Sequence, residues 1–341
     1  MILRELSEAF GVSGKEDDVR SILLEAIQDH VDEVEIDALG NLLTVKRGTG
    51  DEPMRVMVAA HMDEIGLMVV DHDDKGMLKV QAVGGMDARL LPGTLLAVGP
   101  ERAPGVIGVK PIHLTESGEM EKVAKIDDLV IDIGAKGKSE AQEAAPVGTY
   151  ATFTTRYREL GPTVTGKAFD DRAGCAVLVE LLRGECFGFD LHGVFTVQEE
   201  VGLRGARVAA YAIDPDCAFA LEGTIADDIP KEKDESPTTE LGKGPAITVM
   251  DRSFIADRRL VRLLTGTADE LGIPHQFKQP GIGGTDAGVI HLARDGVPCA
   301  TVSVPSRYVH SPVAMLNLED FENTVRLMRA SLGRLTPETL E

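Results

Sequence analysis

The sequence predicts an α/β fold: a mixed sheet covered by helices on both faces, interrupted by a small inserted β domain. Three observations carry this. Several short runs are apolar at every position, as in strands buried on both faces. Stretches of helical spacing separate them. From about Met68 to Thr165 the texture changes to many short β-like runs broken by Gly and Pro, as in a small barrel or sandwich. The expected division is 1–67 and 166–341 for the α/β domain and 68–165 for the insertion.

Residues 1–30 alternate at helical spacing, and Ser13-Gly-Lys-Glu16 offers a capping-box start for a second helix. Val34 to Val45 reads as strand, turn at Gly40-Asn41, and strand. Arg55–Ala60 is a continuous apolar run ending in His61, a strand buried on both sides. Within the insertion the β-like runs are Met68–Asp71, Met77–Ala82, Leu95–Val98, Val106–Val109, Leu129–Ile133 and Tyr150–Thr155, with one short helical stretch at Glu140–Ala145. After Gly166 the rhythm is helix Asp170–Leu182, strand Gly193–Val197, strand Cys217–Leu221, helix Asp257–Leu271, strand Cys299–Val304 and helix Leu318–Leu332. Residues 228–240 are polar and read as an exposed loop. No internal repeat is present.

Lys plus Arg total 35 against 56 Asp plus Glu among 341 residues, a net charge of −21. A phosphate-backbone partner needs a basic face, so nucleic acid is excluded. No apolar run approaches a membrane span. The amphipathic start lacks the long apolar core of a signal peptide. Cys175, Cys186, Cys217 and Cys299 are widely spaced and form neither a disulfide framework nor a thiolate metal site. Together these features predict a reduced, cytoplasmic protein.

The chemistry concentrates at strand ends and helix starts, where open α/β sheets build their sites. Glu199-Glu200 stands where the apolar run Gly193–Val197 ends, in a Gly-rich context. The bland reading is a pair of solvated charges entering a turn; against it, the segment is apolar and the next charge, Arg204, lies several residues on. Two adjacent carboxylates repel, and a divalent cation offsets that repulsion, with the second carboxylate on a metal-bound water. Residues alternate in extended chain, so such a pair flanks one cation from two directions.

The remaining segments are weak singly. His61 and Asp63 lie two apart and share a side in extended chain, so Asp63 can orient a ligating His61; alone this is a loop histidine beside an acidic turn. Asp170-Asp171 opens a helix, where Asp is most often an N-cap; two in succession leave one to bridge metals while the other caps or pairs with Arg172. Glu222 ends another apolar strand, and His310 follows a buried one. His30, His72, His113, His192, His275 and His291 have no such neighbours. Jointly, two histidines and several carboxylates without thiolate suit a pair of Zn, Co or Mn ions.

These segments, in this order, resemble the glutamyl and tetrahedral aminopeptidase family of dinuclear metallopeptidases, some of which carry cellulase-like names. The matching stretches are Ala60–Gly66, Gly166–Arg172, Val197–Ala206, Leu241–Ala246, Gly283–Ala287 and Arg307–Pro312, which span nearly the whole chain. The resemblance implies a zinc-peptidase-like α/β domain, with the insertion serving dimerisation. It implies two divalent ions per subunit, zinc above cobalt or manganese, bridged by Asp170. His61 and Glu222 complete one site, Glu200 and His310 the other. Glu199 is the general base, and Asp63 supports His61. The chain departs at Glu222, where many relatives carry Asp.

The expected activity is removal of N-terminal residues from short peptides by a metal-activated water, in a dimer-based homo-oligomer as large as a dodecamer. A metal-dependent deacylase of N-acyl amino acids would use nearly the same chemistry. A glycosidase using Glu199 is disfavoured because the chain has no Trp and 4% aromatic residues, which leaves few platforms for sugars.

Overall fold

Strand Arg55–His61 explains the layering. Val56, Val58 and Ala60 face one core, Met57 and Ala59 another, and all five are buried. A strand apolar on both parities needs cover on both sides. In the computed structural model, which describes residues 2–51, 53–116, 118, 125–230 and 236–341, helices supply it. Ile2–Glu8, Asp17–Ile27, Phe169–Arg183, Arg258–Leu271 and Leu318–Leu332 pack on the first face. Arg204–Ile213 and Ala287–Ile290 pack on the second.

Among the described residues the sheet runs in the order Glu33–Ile36, Leu42–Lys46, Asp190–Thr196, Arg55–His61, Cys217–Ile225, Cys299–Arg307, Ala314–Asn317, Thr163–Gly166, Arg158–Leu160. Ala246–Thr248 pairs alongside Cys299–Arg307, and Gln276–Phe277 pairs with Ala246–Thr248. The strands Asp190–Thr196, Arg55–His61, Cys217–Ile225 and Cys299–Arg307 are mutually parallel. Their C-terminal ends therefore line one edge, with Thr196 opposite His61 and Glu222 opposite Ser303. The flanking strands are antiparallel, so the sheet is mixed, as expected.

A second body is a closed antiparallel barrel in the order Gly66–His72, Leu78–Val83, Val130–Asp132, Ala103–Gly108, Leu95–Val98, Tyr150–Phe153. Leu67, Val69, Leu78, Val80, Leu96, Val98, Ile107, Ile131, Ala151 and Phe153 fill it. Its strands stop at Phe153, short of the expected boundary at 165. Arg158–Leu160 and Thr163–Gly166, grouped by sequence with the insertion, pair instead with the main sheet. Arg158–Leu160 is exposed along its length, so its apolar content gives no sign of which body it joins.

Other expectations also change. Helix Asp17–Ile27 has no side-chain cap from Ser13 or Glu16; both side chains turn to the strand ends described below. Strands Ala246–Thr248, Gln276–Phe277 and Ala314–Asn317 and helix Arg204–Ile213 went unpredicted. The strands are very short, and the helix buries Gly205, Ala206, Ala209 and Ala210, whose small side chains make a faint apolar stripe. Of the polar segment 228–240, residues 231–235 lie outside the described ones; Thr238 and Thr239 are buried rather than exposed.

An ion cluster closes the neck of the insertion. Glu64 precedes the first barrel strand, and Lys167 follows the returning strand Thr163–Gly166. The Lys167 ammonium donates to both Glu64 oxygens at 2.6 and 2.7 Å and to the Ala9 carbonyl at 2.6 Å. Arg172 donates to the Leu6 carbonyl at 2.6 Å and to the Gly11 carbonyl at 3.3 Å, and lies 3.5 Å from Glu64. All three charged residues are buried, and burial pulls the Lys167 ammonium down to about 8. Removing one partner of a buried pair strands the other charge. Glu64→Ala is therefore expected to destabilise the protein by about 3–5 kcal/mol. Urea unfolding at constant m-value checks this; a loss below about 1 kcal/mol, the range of a surface pair, would refute it.

Candidate active site

The parallel strand ends bring together residues far apart in sequence. His61 is the last residue of its strand. Its Nδ1 faces the Asp63 carbonyl at 3.2 Å and Asp63 Oδ1 at 3.4 Å. With Nδ1–H donating there, Nε2 is the nitrogen aimed into the crevice, and it can ligate once it gives up its proton. Nε2 lies 3.3 Å from Asp170 Oδ1, 3.6 Å from Glu222 Oε2 and 3.9 Å from Glu199 Oε2. His310, three residues past strand Cys299–Arg307, places Nε2 3.2 Å from Glu200 Oε2 and 3.7 Å from Asp170 Oδ2. Its imidazole is 42% exposed and forms the rim, whereas His61 forms the floor.

Asp170 thus turns one oxygen to each histidine. Asp171 does not reach the crevice: it accepts hydrogen bonds from the backbone N–H of His61 at 3.1 Å and of Gly174 at 2.8 Å. The backbone at both residues leaves helical geometry (φ −86°, ψ 105° and φ −120°, ψ 40°), which sends the two carboxylates apart. The sequence left this pair open; the turn at the helix start separates them.

Glu199 and Glu200 diverge too, one towards each histidine, and do not flank a common point. They sit in a turn, with Gln198 at φ +56°, not in extended chain. Successive N–H groups of that turn are held by carboxylates: Gln198 donates to Glu16 at 3.2 Å, and Glu199 and Glu200 donate to the two Asp63 oxygens at 3.0 and 3.1 Å. Ser13 donates to Asp63 at 2.6 Å. Glu222 sits inside strand Cys217–Ile225, which runs past the expected end at Leu221; its Oε1 accepts the Asp286 N–H at 3.2 Å. Asp286 in turn accepts from the Thr196 hydroxyl at 2.6 Å. Ser13, Glu16 and Asp286 were not singled out by sequence. Ser13 and Glu16 read locally as a cap, and only the Gly283–Ala287 motif pointed towards Asp286.

The electrostatics are those of a crowded acidic pocket. Burial, reinforced by neighbouring carboxylates, pushes Glu199 and Glu222 well above the usual carboxylate range, and burial raises Glu200. Burial also raises Asp286, to about 6. Asp170 and Asp63 stay low despite burial, because His61 hydrogen-bonds and attracts each. Burial works against a charged His310, but Glu200 and Asp170 raise it to about 9.

Carboxylates gathered out of water need a positive partner. Among the described residues, two donor groups suit a metal: His61, Asp170 and Glu222, and Asp170, Glu200 and His310, with ligand atoms within 4.8 Å of one another. Ligands about 2.0–2.1 Å from a tetrahedral zinc lie roughly 3.4 Å apart. The imidazole-to-carboxylate separations of 3.2–3.7 Å match that edge. The groups therefore fit divalent cations. They line a cavity of about 600 Å³ that also meets Gly202, Thr224, Lys278 and Thr285. No helix among the described residues is long and apolar enough to cross a membrane.

Residues 40–327 match the profile of the M42 glutamyl aminopeptidase family. The chain is 37% identical over 350 residues to a lysyl aminopeptidase of Pyrococcus furiosus, covering 98% of this chain and 97% of the relative. Among solved structures, aminopeptidase APDkam598 of the archaeon Desulfurococcus kamchatkensis superposes with a TM-score of 0.95 at 38% identity, covering 100% of this chain and 96% of that one. The TET1 peptidase of Pyrococcus horikoshii, described as assembling into a tetrahedron or a large octahedral shell, superposes at 0.87 with 36% identity and 98% of each chain covered.

Metal ligands must be deprotonated, and here the metal-free ligands hold protons unusually tightly. Cation uptake at pH 7 should therefore release protons, and affinity should keep rising up to about pH 9, where His310 loses its proton. Calorimetric titration of the stripped protein with zinc, in buffers of different ionisation enthalpy, measures the count. Heats independent of the buffer would rule out this ligand set.

Proposed function

The chain belongs to the M42 glutamyl aminopeptidase family and is a metal-dependent aminopeptidase, and from that premise we propose how its own residues do the work. Two divalent ions would be held per subunit, His61, Asp170 and Glu222 supplying one donor group and Asp170, Glu200 and His310 the other. Zinc is the expected ion, with cobalt or manganese as substitutes for the same nitrogen and oxygen donors. The observation that carries this reading is the division of Asp170, one oxygen towards each histidine.

When bound, the ions would acidify a water and polarise the scissile carbonyl. Glu199, with Oε2 3.9 Å from His61 Nε2 at the crevice, would be the general base. It takes the proton as the water oxygen adds to the carbonyl carbon, then delivers it to the departing nitrogen as the C–N bond breaks. Asp63 fixes the Glu199 turn and the His61 ring at once. The free amino group of the substrate is met by the crevice carboxylates, which confines cleavage to the terminal residue. The cavity of about 600 Å³ holds a short peptide and not a folded chain. A deacylase of N-acyl amino acids would have no such amine to bind. The free thiols suit a reducing cytoplasm.

We further infer a homo-oligomer assembled from dimers through the barrel, as large as a dodecamer. Supporting this, Leu95 and Val106 lie opposite each other on neighbouring barrel strands and are 60% and 40% exposed. Chelation should abolish hydrolysis of aminoacyl anilides, and added zinc, cobalt or manganese should restore it. Glu199→Gln should keep its metal and lose roughly 10²–10⁴-fold in kcat. Glu200→Gln should lower metal content measured by atomic emission. Near-wild-type rates in both variants would overturn the assignment.

A further inference from the structure

A second cavity, of about 570 Å³, opens at the seam between the α/β domain and the barrel. Residues 10–18 of the N-terminal segment supply one wall. The turn at 99–102, between strands Leu95–Val98 and Ala103–Gly108, and the chain at 146–150 supply the other. Phe10, Pro100, Pro146, Val147 and Tyr150 give it an apolar body. Its size and its place between two bodies are those of a small-molecule site. It shares no lining residue with the crevice of metal ligands.

The charges at this seam have the opposite sense to the rest of the molecule. Among the lining residues Lys15 and Arg102 face one acid, Asp18, in a chain of net charge −21. Arg102 is held at φ +53°, a region that residues other than glycine seldom take, and its guanidinium stands 5.8 Å from the centre of the Phe10 ring. Lys15 pairs with Asp17 at 2.7 Å and Arg102 with Asp18, all four side chains being about half exposed. Exposed pairs hold weakly, so an incoming carboxylate can take either cation from its partner. A guanidinium receives a carboxylate through two parallel N–H donors. Burial raises the Tyr150 phenol, which therefore keeps its proton and adds a donor.

We propose that the seam cavity is an effector site for small organic carboxylates, an apolar body ending in an anionic group that Lys15 and Arg102 receive. Its influence reaches the crevice through the shared wall. In the chain Lys15 lies between Ser13, which donates to Asp63 at 2.6 Å, and Glu16, which accepts the Gln198 N–H at 3.2 Å. An occupant that draws on Lys15 therefore bears on the turn that presents Glu199.

The test is calorimetric titration of the metal-loaded protein with 4-phenylbutyrate and, separately, with 4-phenylbutylamine. Wild type should bind the acid with a Kd of about 1 mM or tighter, a modest level for about a dozen non-hydrogen atoms. The amine should bind at least about tenfold more weakly, the scale of one charged hydrogen bond. Arg102→Met should weaken the acid by at least about tenfold, and Arg102→Glu should reverse the order of acid and amine. That order, read within one variant, does not depend on how much of the preparation is folded. Saturating acid should also change kcat on leucyl para-nitroanilide, and the change should vanish in Arg102→Glu. Acid bound at the metals instead would raise KM alike in wild type and variant. No saturable heat in wild type, undiminished binding in Arg102→Met, or a kcat indifferent to the acid would overturn the proposal. If the loaded wild type cleaves no aminoacyl anilide, the aminopeptidase reading has failed, and the calorimetry still decides the site.

Discussion

The carboxylate of Asp63 holds three walls of the crevice in one place. It is fully buried, and its two oxygens receive the Ser13 hydroxyl and the N–H groups of Glu199 and Glu200, while Oδ1 also faces the His61 ring. A buried charge survives only when its lone pairs are met, so the N-terminal segment, the histidine strand and the glutamate turn cannot drift independently. Glu16 extends the grip by one residue, holding Gln198 from the side of the first helices. The turn at 198–200 therefore has successive N–H groups tied down while the side chains of Glu199 and Glu200 reach into the crevice. That is how a turn can present carboxylates with fixed geometry.

Lys167, Glu64 and Arg172 solve a second problem. The inserted barrel separates His61 from Asp170 in sequence, and the segments that bear them must be held together for the two to meet. Glu64 stands at the exit to the barrel, three residues after His61, and Lys167 at the end of main-sheet strand Thr163–Gly166, three before Asp170. Their contact sets the distance between the two ligand-bearing segments, and Arg172 adds the first helix to the same knot. The site is therefore assembled from the floor upward by neutralised pairs. In the crevice above, the carboxylates have only the two imidazoles and Lys278 as basic neighbours among the lining residues.

What sequence made legible follows from how far each signal reaches. Unbroken apolar runs announced the central strands, and a metal-competent residue at each strand end announced the crevice, because both properties are local. His61, Asp170, Glu199, Glu200, Glu222 and His310 do converge. The choice between Asp170 and Asp171 was closed to sequence, since it depends on two backbone dihedral pairs at the helix start. Ser13 and Glu16 were misread for a related reason. Three-residue spacing before a helix fits a local cap, while their actual partners lie 50 and 182 residues away. Lys278 was not singled out by sequence; it lines the crevice together with Gly283 and Thr285. Strand Arg158–Leu160 was grouped with the insertion because an exposed edge strand carries no apolar code for its partner, and Thr163–Gly166, only four residues long, went with it.

The barrel also takes part in the crevice, because the chain after its second strand reaches Glu200 and His310. At Gly84, with φ +84°, an added Cβ would stand 2.8 Å from Ile65 and 3.3 Å from the Glu200 side chain. At Gly85 it would meet the His310 ring at 3.5 Å. Both glycines follow strand Leu78–Val83, so the barrel's backbone itself forms one wall beside Glu200 and His310. Positive φ suits Gly84 to glycine, and crowding excludes a side chain there. Of the two donor groups, His61 and Glu222 are held entirely by the α/β domain, whereas Glu200 and His310 lie against the inserted one. Asp170, with one oxygen towards each histidine, and Asp63, which holds both the Glu200 N–H and the His61 ring, join the two groups, so the barrel wall beside Glu200 and His310 is coupled to the deeper one as well.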